Sequence, residues 1–142
     1  MSVHDILKDV QLIKQDKSTV AGSEALDGKK KVLVYFSAHW CPPCRHFTPV
    51  LAEAYKDDLK EANVEVVFVS SDQDADSAFS YFNNDHGDWL LAPHGSDEGK
   101  ELKKICEVRG IPTLAMFDAD GKLETTEARN IIASGNFDKI TK

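Results

Sequence analysis

Apolar residues run consecutively at Val32-Leu33-Val34-Tyr35-Phe36 and again at Val66-Val67-Phe68-Val69. A strand with one wet face alternates, so unbroken apolar runs predict strands covered on both faces, as in largely parallel sheets. These strands are expected over residues 31–37 and 64–70. Between them Phe47, Val50, Leu51, Ala54 and Tyr55 recur at helical spacing, which predicts a helix opening near Pro43. Pro49 lies inside that helix and removes one donor from its ladder, so a kink is expected there. After the second strand, Ala75, Ala78, Phe79 and Phe82 mark another helix, with Asp72 or Asp74 available as its cap.

Residues 83–95 are patterned as a loop carrying Trp89 and Pro93. A short helix over about 97–107 follows, with Leu102, Ile105 and Cys106 on one face. Residues 113–117 predict a strand, Asp120-Gly121 a tight turn, and residues 122–125 its antiparallel partner. A closing helix over 127–134 stops at Gly135. The first 22 residues are weakly patterned. Val10, Leu12 and Val20 suit short peripheral strands or a leading helix, and Asp27-Gly28 marks the turn into the first strong strand. Strands alternating with helices predict an α/β fold, with right-handed crossovers and helices on both faces of a central mixed sheet. One domain is expected over residues 1–142, with its core at about 30–135 and residues 1–22 peripheral.

Composition narrows the function. The chain has 142 residues, 42% hydrophobic and 29% charged, the balance of an ordinary globular protein. A net charge of −7 argues against a nucleic-acid partner, which needs clustered Lys and Arg. The one dense basic run, Lys29-Lys30-Lys31, stands where it keeps the entrance to a buried strand soluble. No stretch approaches the ~20 apolar residues of a membrane helix. Met1-Ser2-Val3-His4-Asp5 has neither the basic region nor the apolar run of a secretory signal. Three cysteines are too few for a disulfide-stapled secreted fold. A reducing location is therefore expected, the cytoplasm or also the nucleus, and a monomer.

In such a compartment Trp40-Cys41-Pro42-Pro43-Cys44-Arg45 is a chemical motif. It leaves a buried strand and opens a helix. Cys41 falls at the N-cap position and Pro42 at the first helical position, which proline favours. A thiolate is stabilised there by free N–H groups and the helix dipole. Pro42 and Pro43 have no N–H, so the nearest backbone donor to the Cys41 sulfur is that of Cys44. Cys41 is thus assigned as nucleophile and Cys44, one turn inside, as resolving thiol. Arg45, with His39 or His46, can lower the Cys41 pKa further. The competing use of a CxxC pair is half of a structural zinc site. Closing it needs two more ligands, and the only other thiol is the isolated Cys106, placed as a small buried hydrophobe. No metal, flavin or nucleotide is implied, because no Gly-rich phosphate loop follows a strand.

Three further positions bear on this site. Trp40 is expected as a partly exposed wall beside the cysteines. Trp89 either anchors its loop to the core or lines the site. Gly110-Ile111-Pro112-Thr113 enters a strand. If the Ile111–Pro112 bond is cis, that turn can approach Cys41, and the Ile111 backbone can pair with an extended substrate segment.

Trp40-Cys41-Pro42-Pro43-Cys44 after a buried strand, with Ile111-Pro112-Thr113 later, resembles the thioredoxin superfamily. Tyr35-Phe36-Ser37-Ala38, Phe47-Thr48-Pro49, Val69-Ser70-Ser71-Asp72 and the Trp89-to-Pro93 segment make it most similar to the tryparedoxin and nucleoredoxin branch. The resemblance spans roughly residues 30 to 125. It implies a thioredoxin-like fold, a cis Pro112, and the nucleophile and resolver roles given above. There are departures. Thioredoxin proper has Gly-Pro between its cysteines and a buried Asp behind them, whereas here Pro42-Pro43 and Tyr35 stand in those places. Asp72 is either a substitute acid or a helix cap. Gly87-Asp88 precedes Trp89 where the branch usually has a proline.

The expected activity is reduction of protein disulfides through a Cys41/Cys44 dithiol–disulfide cycle. Its expected partners are disulfide-containing proteins and an upstream thiol reductant. The alternative is a redox-sensitive binding module whose disulfide state switches a partner interaction without turnover.

Overall fold

A computed structural model describes residues 2–142. The chain begins with α1 (Val3–Leu7), β1 (Gln11–Ile13), β2 (Thr19–Ala21) and α2 (Gly22–Ala25). Next come β3 (Lys31–Ser37), α3 (Pro42–Ala54), a single π-helical turn (Tyr55–Leu59), β4 (Val64–Ser70) and α4 (Ala75–Asp85). It ends with β5 (Leu90–Leu91), α5 (Asp97–Ile105), β6 (Thr113–Phe117), β7 (Leu123–Thr125), α6 (Ala128–Ser134) and α7 (Asp138–Thr141).

The strands form one mixed sheet in the order β2-β1-β5-β4-β3-β6-β7. β3 lies between β4, parallel to it in register Leu33↔Val66, and β6, antiparallel in register Leu33↔Met116. Its side chains alternate between two cores. Leu33 and Tyr35 face α3, α4 and α6, where they meet Leu51, Phe82 and Ile132. Val32, Val34 and Phe36 face α1 and α5, where they meet Leu7, Leu102 and Cys106. Both faces of β3 are therefore dry, as its unbroken apolar run requires. The leading residues are packed as well: Val3, Leu7 and Leu12 are fully buried, and β1 joins the sheet through Ile13↔Leu91.

Expected elements and observed ones differ mainly where elements are short. The loop over 83–95 holds the last residues of α4 and the two-residue strand β5. The helix expected to 107 ends at Ile105, and α7 follows the Gly135 cap, which takes φ 75°. Asp74, directly before Ala75, caps α4 by accepting from the Ser77 N–H at 2.7 Å. Phe79 is only partly buried, with the Lys17 ammonium 5.2 Å from its ring centre. Tyr81 is buried in its place.

His86 is buried among aromatic rings, 4.2 Å from Phe68 and 4.4 Å from Tyr81 between centroids. Its Nδ1 accepts from Trp89 Nε1 at 3.1 Å, and Nε2 has no protein partner. Burial holds its pKa down to about 3, against about 6.5 for an exposed imidazole. The ring is therefore neutral in the fold, while the unfolded chain gains a proton below pH 6.5. Stability is lost as pH falls from about 6.5 towards 3, by up to about 1.4 kcal/mol per pH unit from this residue alone. Urea unfolding of wild type and His86→Gln across pH 7 to 4 checks this. The variant is expected to be weaker at pH 7 but to lose less stability on acidification; parallel pH profiles count against it.

Candidate active site

The end of β3 and the start of α3 build the site. Cys41 has extended backbone (φ −99°, ψ 107°) and caps α3, with Pro42 as its first residue. Its sulfur accepts the Cys44 N–H at 3.3 Å, the first N–H after the two prolines. Cys41 and Cys44 are joined as a disulfide with Cα atoms 5.2 Å apart. Cys41 retains 5% of its surface and Cys44 none, so only Cys41 is open to attack from outside. Arg45 and His46 are exposed on the same helix.

The Ile111–Pro112 peptide is cis. Ile111 packs against the cysteine pair, and its carbonyl oxygen stands 3.7 Å from the Cys41 sulfur. Arg129 from α6 donates to the Pro112 carbonyl at 3.4 Å. Trp40 is 58% exposed, its ring held in place by a 3.0 Å bond from Nε1 to the Ser71 carbonyl. Asp72 accepts the His39 N–H at 2.9 Å and the Ser70 hydroxyl at 2.7 Å, and its own carbonyl accepts from His94 Nε2 at 2.8 Å. It ties the β3 exit to the β4 exit, rather than capping α4. Trp89 lies away from this surface, buried edge-on against Tyr55, which makes it an anchor. A Cβ on Gly87 would fall 2.6 Å from the Trp89 ring, so a residue with a side chain does not fit there.

Behind Cys44 lies a group of buried hydroxyls that no single stretch of sequence announces. Thr48, one turn after Cys44 on α3, donates to the Cys44 carbonyl at 2.9 Å. Its oxygen has two lone pairs, and two phenols stand ready to fill them: Tyr35 at 2.7 Å and Tyr81 at 2.5 Å. Ser37 meets the Tyr81 oxygen at 2.8 Å. With Thr48 donating to the carbonyl, all four hydroxyls are satisfied. Burial raises the pKa of Tyr35 and of Tyr81. Both phenols therefore stay protonated, so the group can hold Cys44 in place but offers no base at neutral pH.

Cys106 is buried at the end of α5 with its thiol pushed up to about 11 by burial, which leaves it inert. Among the described residues there is no cluster of three or more His, Cys, Asp or Glu placed to hold a metal ion. Among the same residues no helix is long and apolar enough to cross a membrane.

A family profile described as "Thioredoxin-like" matches residues 28–123. The probable nucleoredoxin 1 of Arabidopsis thaliana is 44% identical over 111 residues, 77% of this chain but 19% of that protein. The chain thus spans about a fifth of that relative's length. The tryparedoxin of Trypanosoma brucei brucei is 43% identical over 102 residues, 70% of this chain and 69% of that one. A crystal structure of thioredoxin from Wuchereria bancrofti superposes with a TM-score of 0.85 at 43% identity, covering 90% of this chain and 88% of that chain.

The hydroxyl group gives a stability prediction. Thr48→Val removes the central hydroxyl and with it three hydrogen bonds, to the Cys44 carbonyl and to the two phenols, at a cost of about 1–3 kcal/mol. Tyr35→Phe removes the bond to Thr48 and a long 3.3 Å bond to the Cys44 carbonyl, and costs about 1 kcal/mol. Urea unfolding of the oxidised proteins checks the order. An equal or reversed pair of losses contradicts Thr48 as the centre.

Proposed function

The chain belongs to the thioredoxin-like family, and on that premise we propose that it reduces disulfides in protein substrates by a Cys41/Cys44 dithiol cycle. The observation that carries this reading is the asymmetry of the pair. Cys41 sits at a helix N-terminus with its sulfur receiving an N–H, and it alone keeps accessible surface. Those are the two properties of an attacking thiolate.

In the reduced protein the Cys41 thiolate attacks one sulfur of the substrate disulfide. One substrate sulfur leaves as a thiolate and takes up a proton, and Cys41 is joined to the other in a mixed disulfide. Cys44 gives up its proton and attacks the Cys41 sulfur, and the second substrate sulfur leaves. Two electrons have then moved to the substrate, and the protein carries the Cys41–Cys44 disulfide. A thiol reductant restores the dithiol by the reverse exchange, so the chain needs no bound cofactor. Trp40, Pro42, Pro43 and Ile111 form the rim that a substrate meets, with Arg45 beside it. The Ile111 backbone, beside the cis Pro112, is free to pair with an extended substrate segment. We place this activity in a reducing compartment, the cytoplasm or nucleus, and in a monomer.

Trapping tests the order of events. Cys44→Ser is expected to accumulate a covalent adduct with a disulfide substrate, released by dithiothreitol, and Cys41→Ser to abolish insulin reduction. Turnover by a Cys41→Ser protein, or no adduct with Cys44→Ser, contradicts the assignment. Stoichiometric capture of a partner by the oxidised wild type, without turnover, points instead to a redox switch.

A further inference from the structure

The chain carries 24 acidic and 17 basic residues, yet four of its cations gather around one cavity. Lys100, Lys103 and Lys104 of α5 and Arg109 just after it line one cavity of about 500 Å³, together with Glu107 and Val108. The path of the backbone accounts for the gathering. At the end of α5, Glu107 takes φ 52°, its N–H bonds to the Lys104 carbonyl, and Val108 bonds back to the Lys103 carbonyl at 3.1 Å. The chain thus reverses and returns Arg109 alongside the lysines.

All four cations are exposed, and among the described residues none forms an ion pair. Lys103 and Lys104 complement the negative end of the α5 dipole, but Lys100 and Arg109 lie outside that last turn. Arg109 is two residues before Ile111, whose carbonyl stands 3.7 Å from the Cys41 sulfur. On the α4 side the charge is opposite: a cavity of about 340 Å³ next to the site is lined by His39, Asp76 and Asp85 among others. Arg109 thus leads into the Ile111 side of the disulfide, while Asp76 and Asp85 share a cavity with His39 on its other side.

We propose that the cationic groove at the C-terminal end of α5, which Arg109 joins to the Gly110–Pro112 loop, receives an acidic segment of the substrate protein next to the disulfide being reduced. Attraction on the α5 side and repulsion from the α4 side together fix the direction in which such a segment crosses Cys41. This selectivity rests on the disulfide-reductase reading. It acts mainly on the rate of encounter, and so it fades with salt.

The test uses the reduced full chain and peptides with one common disulfide, flanked by a run of Glu, Gln or Lys. Rates are followed by stopped-flow tryptophan fluorescence. The Glu peptide is expected to react about ten-fold faster than the Gln peptide at low salt, with the advantage vanishing near 0.5 M salt and the Lys peptide slowest. The combined variant K100Q/K103Q/K104Q/R109Q is expected to reduce Glu and Gln peptides equally, with the Gln rate unchanged. Equal Glu and Gln rates in wild type, or a variant that slows both alike, overturn the groove while leaving the reductase reading standing. Failure of wild type to reduce the Gln peptide refutes the reductase reading itself.

Discussion

A single hydrogen bond organises the chemistry of this protein: the Cys44 N–H pointing at the Cys41 sulfur across the first turn of α3. Two prolines make it the first N–H available, and they also stiffen the turn that delivers it. Everything around that bond keeps it in register. β3, dry on both faces, ends where Cys41 begins. Asp72 fixes the His39 backbone, Ser71 holds the Trp40 ring, and the cis Pro112 turn brings the Ile111 carbonyl to the sulfur. The sulfur is thus met by a donor from α3 and by backbone of the loop that enters β6.

Beneath Cys44 the protein uses four neutral hydroxyls where thioredoxin proper has a buried acid. The exchange is chemically consequential. A carboxylate can receive a proton near neutral pH, whereas Tyr35 and Tyr81, with pKa values raised by burial, cannot. The Cys44 proton therefore has no internal base among these hydroxyls. In the proposed cycle it leaves through the sulfur expelled from the substrate, or through water admitted at the rim. The hydroxyls hold the Cys44 carbonyl, and with it the turn that presents both sulfurs.

The parts of the fold that were legible in one dimension are those dictated by burial. β3, β4 and β6 lie over the residues expected from their apolar runs, and α3 begins at the proline that follows Cys41. The motif itself announced a cysteine pair at disulfide distance and the helix that Cys41 caps. Two kinds of feature were hidden. β5 has two residues and α7 four, too few for any period to show. The hydroxyl group joins Tyr35 and Ser37 on β3 to Thr48 on α3 and Tyr81 on α4, so it exists only once the sheet alternation turns Tyr35 towards α3. Thr48, four residues after Cys44, was the one readable clue. Asp72 and Asp74 show a similar limit. Both suit a helix cap, and only their distance from Ala75 separates them.

The proposed cycle requires Cys41 to be the thiolate and Cys44 the protonated partner in the reduced protein. The most direct measurement is the pH dependence of alkylation by iodoacetamide, with each site identified by peptide mapping. Cys41 is expected to be modified first, with an apparent pKa below the ordinary thiol value of about 8.5, while Cys44 reacts slowly throughout. Modification of Cys44 first, or a Cys41 pKa at or above about 8.5, would contradict it.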